Sequence, residues 1–133
     1  MLKVLRNHRG SYIIEFMALS PLLILVGLMV WQFAVAGYGI LKVQVAARDG
    51  VRIAATMLDE DKARAATFTS FGPAQTYYTL DTVNVSIDKT KPGMVAEVNV
   101  QASIHTVLLP KNVAIPYSYK ATTPIYDYEY NGI

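Results

Sequence analysis

FMALSPLLILVGLMVWQFAVAGYGIL, residues Phe16–Leu41, contains no charged side chain. The run is about 26 residues long, more than the ~20 that a helix needs to cross a bilayer. Wound as an α-helix it reaches roughly 39 Å. The apolar region of a secretory signal is shorter, about 7 to 15 residues, and ends at a small-residue cleavage site that does not follow here. A buried core helix is excluded by size: the run is apolar on every side, and the remaining chain is too small to wrap it. The segment therefore reads as a single membrane span.

Outward from the span, Lys3, Arg6 and Arg9 precede it, and Lys42, Arg48 and Arg52 follow it. Basic residues near the two ends tie, so the positive-inside rule leaves the orientation open. The whole chain has 133 residues, a formal charge of +2, a hydrophobic share of 53% and no cysteine. Subtracting the span leaves roughly 75 to 90 residues for a soluble core, a marginal size that often leans on a neighbour. The slight, scattered positive charge gives no basic patch, so nucleic-acid binding is not expected. Without cysteine there is no disulfide, thiolate nucleophile or thiolate ligand.

Three segments follow from these patterns: a short basic stretch over 1–10, a long helix over 11–57, and a small domain over 58–133. Beyond the span the helix turns amphipathic, with Val43, Ala46, Ala47, Gly50, Val51 and Ala54 near one face and Gln44, Arg48 and Arg52 on another. A second helix is expected from Asp59 to Phe71. Asp59 suits the cap, Glu60 and Asp61 suit the positive end of the dipole, and Gly72-Pro73 stops it. The acidic trio lacks the ligand spacing of a calcium loop.

The rest alternates with period two. Val83, Val85 and Ile87 interleave with Asn84, Ser86 and Asp88; Ala96, Val98, Val100, Ala102 and Ile104 interleave with Glu97, Asn99, Gln101, Ser103 and His105. The turn sequence Lys89-Thr90-Lys91-Pro92-Gly93 joins them into an antiparallel hairpin with one buried face. A third strand is expected around 117–123, after the loop holding Leu108-Leu109-Pro110. The fold class is α+β: a long N-terminal transmembrane helix, a short second helix and a small antiparallel sheet.

Glu15 stands at the threshold of the apolar run. A carboxylate deep in a bilayer costs about 2.5 to 3.5 kcal/mol, so by position Glu15 is either an ordinary boundary residue at headgroup level or one placed there for a reason. Its neighbours supply one. Arg9-Gly10-Ser11-Tyr12-Ile13-Ile14-Glu15-Phe16 resembles the processing site of type IV prepilins, which are cut after the glycine and carry glutamate as the fifth mature residue. Glu15-Phe16-Met17-Ala18-Leu19-Ser20-Pro21-Leu22-Leu23 looks like the glutamate, phenylalanine, apolar run and proline of TadE-like proteins. Ala46-Ala47-Arg48-Asp49-Gly50-Val51-Arg52 is similar to that family's Ala-Ala-Arg-acidic-Gly-x-Arg segment. The resemblance covers roughly residues 9 to 57. Ser11 departs from the phenylalanine common at the first position of other type IV pilins, which favours the Tad branch.

The resemblance implies a pilin-like fold, a prepilin-type leader at 1–10, and a processing site at Gly10 and Ser11. Glu15 and Phe16 would act in assembly and register, with Glu15 pairing the new Ser11 amine of a neighbouring subunit. It also implies topology: leader cytoplasmic, inner membrane crossed once, C-terminal domain extracytoplasmic. The implied function is that of a minor pseudopilin in assembly of a Tad-type pilus used in cell adhesion. Its implied partners are other pilins and pseudopilins, the pilus assembly platform and a prepilin peptidase. The rival reading is an unprocessed, single-pass, membrane-anchored accessory or binding module.

Other positions carry weaker signals. Pro21 lacks an amide hydrogen and loosens the helix ladder. Ala34, Ala36, Gly37 and Gly39 are small, and read either as a surface that lets another helix approach or as filler. Arg48, Asp49 and Arg52 read either as a weak helical pair between Asp49 and Arg52 or as a subunit contact. Tyr126, Tyr128 and Tyr130 alternate with Asp127 and Glu129, as an edge strand or a contact surface would. His8 falls in the leader and His105 stands alone. No catalytic or metal constellation can be assembled, so a non-catalytic protein without cofactor is expected.

Overall fold

The computed structural model describes residues 9–89, 94–106, 110 and 113–125. Lys3, Arg6 and His8, residues 90–93 of the expected turn, Leu108, Leu109 and the tyrosines at 126, 128 and 130 lie outside them. Five elements follow in order: α1 (Arg9–Met57), α2 (Glu60–Phe71), β1 (Tyr78–Asp88), β2 (Val95–His105) and β3 (Ala114–Pro124). The chain is α+β. Two compact units divide it, one ending at Ala34 and the other running from Val35 onward.

The first unit is helix α1 up to Ala34. Its large apolar side chains point outward on every side, from Ile13 and Phe16 through Leu22, Leu25 and Met29 to Phe33. A helix that is apolar all round, with these side chains exposed among the described residues, suits a lipid environment. Length and composition alone make this the helix, among the described residues, able to cross a membrane. It fits a single-pass membrane anchor.

The second unit holds the remainder of α1, helix α2 and the sheet. The three strands are antiparallel in the order β1-β2-β3, with β2 at the centre. Ala96, Val98, Val100, Ala102 and Ile104 of β2 are all buried, as their alternation predicts. Val83 sits opposite Val100 and Val85 opposite Val98, so the hairpin keeps one apolar face. On the other face Thr82 donates to Gln101 and Ser118 to Asn99, while Lys120 lies 2.7 Å from Glu97.

The expected helical face is the one buried: Val43, Ala46, Ala47, Val51 and Ala54 join Ala63 and Phe71 of α2 and the sheet valines in one core. The helix boundary also holds. Asp59 takes an extended conformation and accepts from the backbone N–H groups of Asp61 and Lys62, capping α2. Those bonds, the one from the Lys62 backbone foremost, hold the Asp59 carboxyl below its ordinary value of 3.8. At the other end Gly72 has φ 82° and its N–H reaches Phe68 O, a backbone state that favours glycine.

Strand β1 starts five residues earlier than the Val83–Ile87 alternation indicates. Tyr78 pairs with Ile104 and Leu80 with Ala102, but Thr82 pairs with Gln101, leaving Asp81 as an extra residue. The bulge changes the parity of the strand. Tyr78 and Leu80 therefore share the core side with Val83 and Val85.

Candidate assembly surface

Two glycines of α1 show how the second unit closes. A Cβ on Gly50 would lie 2.0 Å from Thr67 Oγ1 and 3.4 Å from the Ala63 carbonyl oxygen of α2. A methyl there requires Thr67 or the crossing of the two helices to shift. Thr67 is itself fully buried and returns its hydroxyl to Ala63 O at 2.9 Å. Gly39 lies under Tyr78, whose Cβ would be 3.5 Å from an added methyl, with Ile104 at 3.7 Å. Tyr78 is buried and meets Phe71 and Tyr38 edge-on, at 5.7 and 5.9 Å between ring centroids. Gly39 is thus used by the chain's own sheet, a correction to its reading as a surface for another helix. The missed signal was spacing: Gly39, Val43, Gly50 and Ala54 are separated by four, seven and four residues, one or two helical turns, on one face.

In the first unit, Gly10 and Ser11 fall in the opening turn of α1, and Glu15 lies one turn beyond Ser11. The Glu15 and Phe16 side chains are exposed. Pro21 is inside the helix, so the Met17 carbonyl has no N–H four residues ahead to bond. Ala34 is exposed. In the second unit Gly37 is exposed too, and an added Cβ would have nothing within 4 Å. Pro21, Ala34 and Gly37 therefore keep outward surfaces that the rest of their own unit does not use.

The Arg48, Asp49 and Arg52 cluster separates. Asp49 accepts a hydrogen bond from Ser70 Oγ of α2, so the carboxylate serves the junction of the two helices. Arg48 and Arg52 are exposed and form no ion pair among the described residues. Both line a groove between α1 and β3. Gln44, expected on the same wet face, is half-buried and donates to the Tyr117 hydroxyl at 3.2 Å. The helix thus presents two arginines outward and turns their polar neighbours to work inside the unit.

Set against known proteins, residues 10–52 match the family model described as TadE-like protein. No curated protein and no solved structure matched the chain. The matched segment opens at Gly10 of the proposed cut, and holds Glu15, Phe16, Pro21 and the whole Arg48, Asp49 and Arg52 cluster. The match spans about a third of the chain, and over residues 10–52 the sequence is similar to TadE-like proteins.

Proposed function

We propose that the chain is a minor pseudopilin of a Tad-type pilus, held in the bacterial inner membrane with its C-terminal domain extracytoplasmic and acting without catalysis. The TadE-like match suggests involvement in Tad pilus assembly and association with its components in general. The observation that carries the finer reading is the start of that match at Gly10, five residues before Glu15, on a helix whose apolar side chains face outward. Cleavage after Gly10 removes Lys3, Arg6 and Arg9 and creates an amine at Ser11. In the low dielectric of packed apolar helices, a carboxylate and an amine attract strongly but only as a complete pair. Glu15 of one subunit and the Ser11 amine of the next would then fix the step between neighbouring helices.

Co-expression with a prepilin peptidase, followed by mass spectrometry of the N-terminus, tests this. The expected product starts at Ser11, and Gly10→Val blocks its formation. Recovery of only the intact chain from a piliated cell supports instead an unprocessed accessory module. In processed protein, Glu15→Ala keeps insertion and the folded domain but lowers crosslinking to other pilins, with Glu15→Asp intermediate. Normal recovery of partners by Glu15→Ala removes the register role.

A further inference from the structure

Strand β3 is an edge of the sheet: its one partner among the described residues is β2. Two of its residues, Pro116 and Pro124, share parity. A proline in a strand is tolerated where its missing N–H faces away from the neighbouring strand. The residues of the same parity between them, Ser118, Lys120 and Thr122, accordingly turn their N–H groups toward the open side. The edge thus offers three successive outward donors fenced by two prolines. Such an edge is a template for strand addition, and prolines at its ends limit how far a partner can extend.

Beside this edge runs the groove, about 1290 Å³ in volume, between β3 and the last turns of α1. Its apolar floor comes from Val51, Ala55 and Ala121. Around it stand Arg48, Arg52, Lys89 and Lys120, and no acidic residue lines it among the described residues. Lys120 reaches Glu97 on the other face of the sheet. The two arginines have no such partner among the described residues.

We infer that this groove receives an extended segment from a neighbouring subunit in which acidic side chains alternate with apolar or aromatic ones. The backbone of that segment adds to the β3 edge at Ser118, Lys120 and Thr122. Its apolar side chains rest on Val51, Ala55 and Ala121, and its carboxylates meet Arg48 and Arg52. Charge complementarity selects the occupant: Arg48, Arg52 and Lys89, with no acidic residue beside them among the described lining, disfavour a neutral or basic strand. The inference rests on the reading of this chain as an assembly component, which supplies the neighbouring subunit.

The probe is a fluorescent peptide of sequence YDYEYNGI, which has the required alternation and also occurs in this chain as residues 126–133. Binding is read by anisotropy on the full chain in detergent micelles, against the same peptide with both acids replaced by lysine. The acidic peptide should bind at least tenfold tighter than the lysine peptide. Combining Arg48→Glu with Arg52→Glu should reverse that preference. Thr122→Pro places a third proline at the parity the strand already tolerates, and should weaken binding tenfold or more with an unchanged circular dichroism spectrum. Equal binding of both peptides overturns the charge argument, and full binding by Thr122→Pro overturns strand addition. A tenfold gain in affinity when the chain is ended at Ile125 makes its own last residues the occupant, which overturns the assignment to a neighbour. These outcomes are independent of cleavage at Gly10, so failure here leaves the pseudopilin reading to its own test.

Discussion

Helix α1 is built in two ways, and side-chain size marks the difference. In the first unit its outward positions are Ile13, Phe16, Leu22, Leu25, Met29 and Phe33, large and exposed. In the second its inward positions are Gly39, Ala46, Ala47, Gly50 and Ala54, small and buried, with Val43 and Val51 among them. Both sets are apolar, so hydrophobicity alone does not separate them. Lipid chains conform to any shape and favour large apolar surfaces, whereas a sheet and a second helix admit only what their own side chains leave room for. Volume, more than hydropathy, tells which solvent each part of one helix was built for.

The largest loss of stability is expected at the centre of the sheet. Val98 is fully buried between Val85 and Ala121. Val98→Asp should unfold the second unit, since an unpaired buried carboxylate costs several kcal/mol on top of the lost packing. Glu97→Lys, one residue away on the wet face, loses the Lys120 contact and should cost about 1 kcal/mol or less. Chemical denaturation followed by circular dichroism compares them. Similar losses from the two would mean that the faces of β2 are wrongly assigned.

The glycines sharpen the same contrast within one helix. Gly50→Ala drives a methyl onto Thr67 and should destabilise by about 1 to 3 kcal/mol. Gly37→Ala meets nothing within 4 Å and should be neutral or gain up to about 1 kcal/mol from helix propensity. If both substitutions are tolerated alike in thermal melts, α1 and α2 do not cross as closely as Gly50 indicates.

The smallest effect lies at the junction of the helices. Because the folded-state pKa of Asp59 is lowered, the stability it contributes is fully present above its unfolded value and is lost as pH falls through the folded one. Asp59→Asn keeps a capping oxygen but cannot titrate. The stability difference between wild type and Asp59→Asn should therefore shrink as denaturation is repeated from neutral pH down below about 3.9. A difference that is constant across that range removes the carboxylate from the account of the cap.

Much of this was legible in the sequence, and the remainder was hidden for specific reasons. The buried face Val43 to Ala54 follows from helical periodicity, and the hairpin from alternation, because each element buries one side only. The cap at Asp59 was legible because its chemistry is local. Gly50 is legible in sequence only as one member of the apolar face; the need for glycine there depends on Thr67, seventeen positions away, and no local pattern points to it. Arg48, Asp49 and Arg52 looked like one cluster because adjacent charges look alike in sequence. The second helix, reaching Asp49 through Ser70, divides them. The start of β1 was missed because the bulge interrupts alternation at the point where a reader counts it.

That bulge bears on how the chain tolerates changes of length. Asp81 has no counterpart on β2, while Leu80 and Thr82 face consecutive positions, Ala102 and Gln101. Striking out Asp81 leaves Tyr78, Leu80, Val83 and Val85 as every second letter of an unbroken strand. One residue in the midst of β1 is thus surplus to the inside-outside code, whereas loss of Asn84 or Ser86 would invert it for every residue on one side of the gap. Among homologous chains of differing length, a single-residue gap inside this strand belongs at Asp81.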